Sequence, residues 1–269
     1  MYKIIAIDLD ETLLNDQKHV STTDVSTISS LDDCKVVIAT GRGFVSVQEN
    51  LKEMGLYGKE NEYVISSNGG CITENKNNQI LFVKKMAFDD VEFLFKLGLK
   101  YNFCIHIYTL ETTYTYNIFE NERKLLENAK FSTKNLESND ISFLRNQTIT
   151  KVLFCDEDIE YLKKVRKEIN LEDRFSISLS SQRYLEFNEK SINKGFGLKK
   201  LCEILNIDIS ETIGVGDNIN DITLIKDAGL GIGVKNVVDE VKPYCDVILD
   251  VTNNEDPLTD MFNRYIKRN

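Results

Sequence analysis

Apolar runs separated by polar, turn-forming stretches divide the chain into strand-sized and helix-sized pieces. Residues 3–8, 35–39, 63–65, 212–215 and 229–233 are short and almost continuously apolar, the pattern of strands buried on both faces of a parallel sheet. Between them fall helix-period segments near 21–31, 44–54, 195–205 and 221–227, with Ser21 placed to cap the first. Repeated strand–helix units predict a parallel sheet covered on both faces, a Rossmann-like, doubly wound α/β core. The middle of the chain, roughly 83–187, reads differently. A helix near 88–100 precedes strand candidates at 103–109 and 112–118. Further strands are expected at 151–155, 175–179 and 184–187, with a helix at 157–169. Hairpins mixed with helices predict an inserted α+β domain with an antiparallel sheet. The core is thus expected at 1–82 and 188–269 and the insert at 83–187, joined by two short crossings able to act as hinges.

Chemistry enters at the strand ends. Asp8 and Asp10 close the first strand in Asp8-Leu9-Asp10-Glu11-Thr12. Side chains at i and i+2 of an extended chain point the same way, so the two acids project together where open α/β sheets bind ligands. Two like charges that close invite a divalent cation. Thr40-Gly41-Arg42 ends the second strand and Ser67-Asn68-Gly69-Gly70 follows the third. Lys194 opens the helix near 195–205, and Asp217 with Asn220 and Asp221 follows the strand at 212–215. Each piece taken singly has an ordinary reading. Thr40-Gly41 starts a helix, Ser67–Gly70 is a turn, Lys194 is solvated, and Asp217 and Asp221 cap a helix N-terminus.

In this order and combination the motifs resemble the haloacid dehalogenase-like hydrolase superfamily. More narrowly, they are similar to its Cof-type phosphatases, which carry a large α+β cap between the second and third motifs. The resemblance implies a phosphatase acting on phosphate monoesters of small metabolites, sugar phosphates or phosphorylated cofactors, through an aspartyl-phosphate. It assigns Asp8 as nucleophile, Asp10 as the acid and base, and Lys194 as the cation facing the transferring group. Thr40, Gly41, Arg42, Asn68 and Asn220 are implied as phosphate or substrate contacts. The metal, Mg2+, is assigned to Asp8, Asp217, Asp221 (acting indirectly) and Asp10 through its backbone carbonyl; all-oxygen ligation suits that ion. A phosphosugar mutase of the same superfamily and a non-catalytic metabolite-binding protein remain alternatives. In the cap, His106, Tyr108, Tyr114, Tyr116 and Arg183 are offered as leaving-group contacts, although the tyrosines also alternate as ordinary sheet residues do.

The sequence departs from the family at three places. Glu11 stands where a glycine is usual. The usual Met-Gly-Asn-Ala appears as Val234-Lys235-Asn236-Val237. No Pro-x-Gly precedes Lys194.

Composition narrows the partners. A net charge of -10 with dispersed Lys and Arg disfavours nucleic acid. No stretch approaches the roughly 20 apolar residues of a membrane span, and no targeting signal leads the first strand. Six cysteines stand singly, several in apolar runs, as buried free thiols do. A cytoplasmic protein is expected, monomeric or a weak homodimer.

Overall fold

The computed structural model describes residues 1–31, 33–128 and 132–266. The chain divides into two compact units, one formed by Met1–Phe82 with Asn193–Asn269 and the other by Val83–Ile192. The second unit extends past the expected boundary at 187, because its last strand continues to Glu189.

Among the described residues, the first unit is built on an eight-stranded sheet. Its strands are β1 (Ile4–Ile7), β2 (Lys35–Ala39), β3 (Tyr63–Ser66), β4 (Cys71–Glu74), β5 (Gln79–Val83), β12 (Thr212–Gly216), β13 (Leu230–Gly233) and β14 (Val247–Ile248). They lie in the order β14-β13-β12-β1-β2-β3-β4-β5. From β14 to β3 every neighbouring pair is parallel, and β3 pairs antiparallel with β4. β1 is central, and its alternate residues serve two cores. Ile5 and Ile7 pack with Val36, Ile38, Ile213 and Val215 on one face. Ile4 and Ala6 pack with Val37, Ala39, Leu198 and Leu224 on the other. Apolar side chains on both faces explain why these strands read as continuous runs.

Helices cover each face. α1 (Thr22–Ser29) is capped by Ser21, whose hydroxyl accepts from the Asp24 amide at 3.0 Å. The segment expected as one helix at 44–54 is a tight turn, Phe44–Val47, followed by α2 (Gln48–Glu53). α6 (Lys194–Leu205), α7 (Ile222–Asp227) and α8 (Pro257–Tyr265) complete the unit.

The second unit carries a six-stranded sheet among its described residues. Its strands are β6 (Cys104–Thr109), β7 (Thr113–Tyr116), β8 (Thr133–Asn135), β9 (Ile149–Cys155), β10 (Phe175–Ser180) and β11 (Tyr184–Glu189), in the order β10-β11-β9-β6-β7-β8. All pairs are antiparallel except β7 with β8. One face is apolar: Ile105, Ile107, Val152, Phe154, Leu185 and Phe187 join residues of α3 (Phe88–Lys100) and α5 (Ile159–Ile169). The opposite face is polar, with His106, Lys151 and Glu186 buried on it. α4 (Glu120–Asn128) supplies the buried Glu122. Among the described residues no helix is long and apolar enough to cross a membrane, and all six cysteines are free thiols.

Candidate active site

Each strand that supplies a site residue ends on the same edge of the sheet, because β1, β2, β3 and β12 are parallel neighbours. Asp8 follows β1, held by its amide donating to Val215 O at 3.0 Å. Asp217 follows β12, Thr40 follows β2 and Asn68 follows β3.

Lys194 stands at the first position of α6, where the Asn193 side chain caps the helix by accepting from the Phe196 amide at 2.8 Å. The loop after β3 makes this approach possible. Ser67, Asn68 and Gly69 take φ of 52°, 54° and 94°, so the turn is left-handed throughout. A Cβ on Gly69 would fall 2.1 Å from Asn193 O. Only glycine admits that contact.

The Lys194 side chain has no exposed surface. Its Nζ donates to Asp8 Oδ1 at 2.6 Å and to Asp221 Oδ1 at 2.6 Å. Asp221 Oδ2 in turn accepts from the amides of Asp217 and Asn218 at 3.1 and 3.0 Å. Asp221 therefore both caps its turn and orients the lysine. It tucks in beneath Gly216, where a Cβ would lie 2.4 Å from the Asp221 Cβ.

Asp8, Asp217 and Asp221 offer carboxylate oxygens that all lie within 4.8 Å of one another, and all three residues are buried. One lysine faces three acids. Burial pushes the Asp8 carboxyl up to about 7, against the pull of Lys194 and with further lift from Asp221. Burial likewise pushes Asp217 up to about 8, helped by Asp221 and Asp8. Burial opposes the charge on Lys194, yet Asp221 and Asp8 hold its ammonium well above the usual lysine range. A compact, buried, oxygen-only cluster with excess negative charge fits a hard divalent cation. Because Asp221 already accepts three donors, Asp8 and Asp217 are the better-placed ligands.

Asp10 stands outside this cluster. Its carboxylate is gripped by Arg42, whose Nε donates to Oδ2 at 2.8 Å and whose Nη2 donates to Oδ1 at 2.5 Å; Lys18 lies at 3.5 Å. Burial works against ionisation, but Arg42 keeps the Asp10 carboxyl below its ordinary range. Arg42, expected at the substrate, is thus engaged with Asp10, and its Nη1 also reaches Asn50 Oδ1 at 3.4 Å. Thr40 Oγ1 accepts from the Arg42 amide at 3.1 Å, which leaves its hydroxyl hydrogen to be donated. The Asn68 amide donates to Thr40 O at 3.0 Å. A Cβ on Gly41 would stand 3.0 Å from Asn68 Oδ1, so Thr40, Gly41 and Asn68 form one group. Asn220 lies half-buried on the turn between Asp217 and Asp221.

Two residues outside the motif assignments tie the loops together. Thr12 Oγ1 donates to Asp217 Oδ1 at 2.5 Å, bridging the first and last motifs. Asn236 Nδ2 donates to Glu11 O at 2.7 Å, and its Oδ1 accepts from the Asn253 amide at 3.1 Å. Asn236 is the one position retained from the family's Met-Gly-Asn-Ala, and that retention was the available signal. Glu11 itself sits at φ 60°, the conformation that the usual glycine takes without strain. Asn236 therefore anchors a strained loop. Asn236→Ala is expected to lower kcat/KM about tenfold, equivalent to one hydrogen bond of about 1.4 kcal/mol. Steady-state kinetics at constant folded fraction checks this; an unchanged value would reduce Asn236 to a surface contact.

Of the residues offered in the second unit, Tyr114 and Tyr116 belong to its apolar core. Arg183 approaches Glu122 at 3.8 Å. His106 is fully buried against Cys104 and Glu122.

Carboxylates, a lysine and a threonine gathered at one edge of a parallel sheet make a site for an anionic group beside a cluster suited to a cation. Residues 5–262 match the model of the haloacid dehalogenase-like hydrolases, and the chain belongs to that family. It is 31% identical to the 5-amino-6-(5-phospho-D-ribitylamino)uracil phosphatase YcsE of Bacillus subtilis, over 98% of this chain and 96% of the relative. It is 27% identical to the phosphatase YwpJ of the same organism, over 98% and 100%. Among solved structures, a haloacid dehalogenase-like hydrolase from Bacteroides thetaiotaomicron superposes with a TM-score of 0.81 at 26% identity, covering 98% of this chain and 99% of that one.

Proposed function

We propose that this protein hydrolyses phosphate monoesters of small metabolites, sugar phosphates or phosphorylated cofactors, through an aspartyl-phosphate on Asp8 and with Mg2+. The chain is a phosphoric monoester hydrolase; the finer statements rest on the site. The observation that carries them is the Asp8 carboxylate, buried at a strand end, paired with Lys194 and clustered with Asp217.

Asp8 attacks phosphorus and the ester oxygen leaves. A carboxylate needs no base to activate it, only neutralisation of the charge around it. Lys194 supplies part of that as a fixed, buried cation beside the attacking oxygen. Thr40 and the Gly41 amide donate to phosphoryl oxygens. Asp8 and Asp217, with the Asp10 carbonyl, would hold Mg2+, and Asp221 fixes Lys194 and the turn that carries Asp217. When bound, Mg2+ neutralises charge on the phosphoryl oxygens and on the crowded carboxylates.

Asp10 protonates the leaving oxygen and then takes a proton from the water that hydrolyses the intermediate. Kept ionised by Arg42, it is ready for the second half; the first half needs Arg42 to release it. The Val83–Ile192 unit is assigned the choice among substrates, since the strand-end residues are all directed at a phosphoryl group. The relative that acts on a phosphorylated ribitylaminouracil supports a substrate of cofactor or sugar type. A cytoplasmic location accords with metabolites of that kind.

The test is phosphate release from a panel of monoesters with Mg2+ and with a chelator. Metal-dependent release supports the reading. No release by folded protein with Mg2+ present would shift it to phosphoryl return, as in a mutase, or to binding alone. Thr40→Ala is expected to cost about 1–3 kcal/mol of transition-state stabilisation, read as kcat/KM. An unchanged value would remove Thr40 from the site.

A further inference from the structure

A second cluster of reactive groups lies within the Val83–Ile192 unit, and the phosphatase chemistry does not use it. Cys104 on β6 and Cys155 on β9 are direct partners in the antiparallel register. Both side chains are on the polar face of the sheet, packed with Leu153. Opposite residues of antiparallel strands have Cα atoms about 4.5–5.5 Å apart, inside the window of about 4.4–6.8 Å that a disulfide spans.

His106, two residues along β6, places its Nε2 3.3 Å from Cys104 Sγ and 3.6 Å from Glu122 Oε1. Its Nδ1 is buried without a hydrogen-bond partner among the described residues. Nε2 is therefore the ring nitrogen that meets both the sulfur and the carboxylate. Glu122 is fixed by the Tyr184 hydroxyl, which donates to its two oxygens at 2.9 and 3.2 Å. Both residues are buried, with 3% and 1% of their surface exposed, so a small oxidant reaches them only through a neighbouring cavity. Cys104 and Cys155 both line a surface cavity of about 290 Å³, rimmed by Asn102, Asn117, Phe119 and Glu157.

We propose that Cys104 and Cys155 form a peroxide-oxidisable dithiol, with Cys104 the attacking sulfur and Cys155 the resolving one. The Cys104 thiolate attacks one oxygen of hydrogen peroxide. The O–O bond breaks, Cys104 becomes a sulfenic acid, and hydroxide leaves to take up the proton that the thiol lost. Cys155 then attacks the sulfenic sulfur, the S–S bond forms, and the sulfenic oxygen leaves as a second water. Each sulfur gives up one electron, and one peroxide is reduced to two waters; a dithiol reductant reverses the change.

The two thiols are set for these different parts. A hydrogen bond from the Cys155 thiol, aided by His106, brings Cys104 down to about 6 against the cost of burial. The same bond pushes the Cys155 thiol far up while Cys104 is the thiolate that accepts it; oxidation of Cys104 removes that acceptor charge and frees Cys155 to attack. By contrast, burial pushes Cys34 to about 12 and Cys71 and Cys202 to about 11. Those thiols are inert at neutral pH.

The experiment uses the purified full-length protein. Iodoacetamide at pH 7 followed by peptide mapping should alkylate Cys104 at least ~10-fold faster than Cys34, Cys71 or Cys202. Stoichiometric hydrogen peroxide should then lower the thiol count from six, the number in the chain, by two, with a dithiothreitol-reversible cross-link between the Cys104 and Cys155 peptides. Cys155→Ala should halt the reaction at a sulfenic acid that dimedone traps on Cys104. Alkylation of Cys104 no faster than that of the other buried thiols, or loss of thiols without the 104–155 cross-link, would overturn the proposal. The first two readings are made on the unaltered protein and do not depend on how the variant folds.

Discussion

Asp8→Asn is expected to reduce kcat by at least about 10³-fold while leaving the metal-free protein no less stable than the parent. The amide cannot form the phosphoryl ester, so the two-step route closes and only positioning and charge stabilisation remain. The stability half of the prediction separates a chemical role from a structural one. Burial holds the Asp8 carboxyl near 7, so ionising it at pH 8 costs folding free energy. An uncharged isostere removes that cost, while Lys194 keeps its 2.6 Å bond to Asp221. Steady-state kinetics and chelator-treated thermal melts at pH 8 together check it. Retained turnover would take the nucleophile role from Asp8. A large drop in melting temperature would mean that its charge holds the fold.

The core strands, and the residues that end them, were legible for one reason. A parallel strand buried on both faces reads as an unbroken apolar run, and the residues that end such runs share one edge of the sheet. Ile4–Ile7 followed by Asp8, and Thr212–Gly216 followed by Asp217, both show this. Elements whose surroundings are mixed left weaker traces. β5 is an edge strand with Gln79 and Ile80 exposed, so it shows neither a run nor a clean alternation. β4 is a four-residue antiparallel return immediately after the left-handed turn. α4, with the sequence ENERKLLEN, is almost wholly polar, although it buries Glu122. α8 did carry a signal, since Pro257 stands in its first turn.

Within the site, residue types and order identified which groups meet, but not how they pair. The i, i+2 rule sends Asp8 and Asp10 to one side. The chain leaves the extended state after Asp8, with the amides of Leu13 and Leu14 folding back to Leu9 O at 3.1 and 2.8 Å. The Asp10 carboxylate therefore turns to Arg42 rather than to the cluster of Asp8, Asp217 and Asp221. Thr12 and Asn236 act through contacts across more than 200 residues, which no local pattern encodes. The same holds for Cys104 and Cys155. Each looks like an ordinary buried thiol until the strand register sets them opposite one another.

Lys194→Met is expected to have the largest effect on stability, and its pH dependence follows from the acids that it leaves behind. Removing one partner of a buried charge network typically costs about 3–5 kcal/mol, because the remaining charges stay desolvated. Here three carboxylates remain within 4.8 Å of one another. Asp8 and Asp217 already have folded-state values raised to about 7 and about 8 from an unfolded value of 3.8. Between those limits the folded state binds more protons than the unfolded state, so stability falls as pH rises. Lys194 lowers both values, and losing it widens that window upward. The metal-free variant should therefore lie closest to the parent near pH 5, where the acids can be protonated, and farthest from it at pH 8. A divalent cation acts in the opposite sense. It binds the ionised cluster of the folded state, so it should raise the melting temperature of both proteins more at pH 8 than at pH 5, and that of the variant more than that of the parent. Melts at both pH values, with chelator and with Mg2+, read all four terms. A pH-independent loss that Mg2+ does not reduce would mean that Lys194 acts by filling space and not by balancing the three acids.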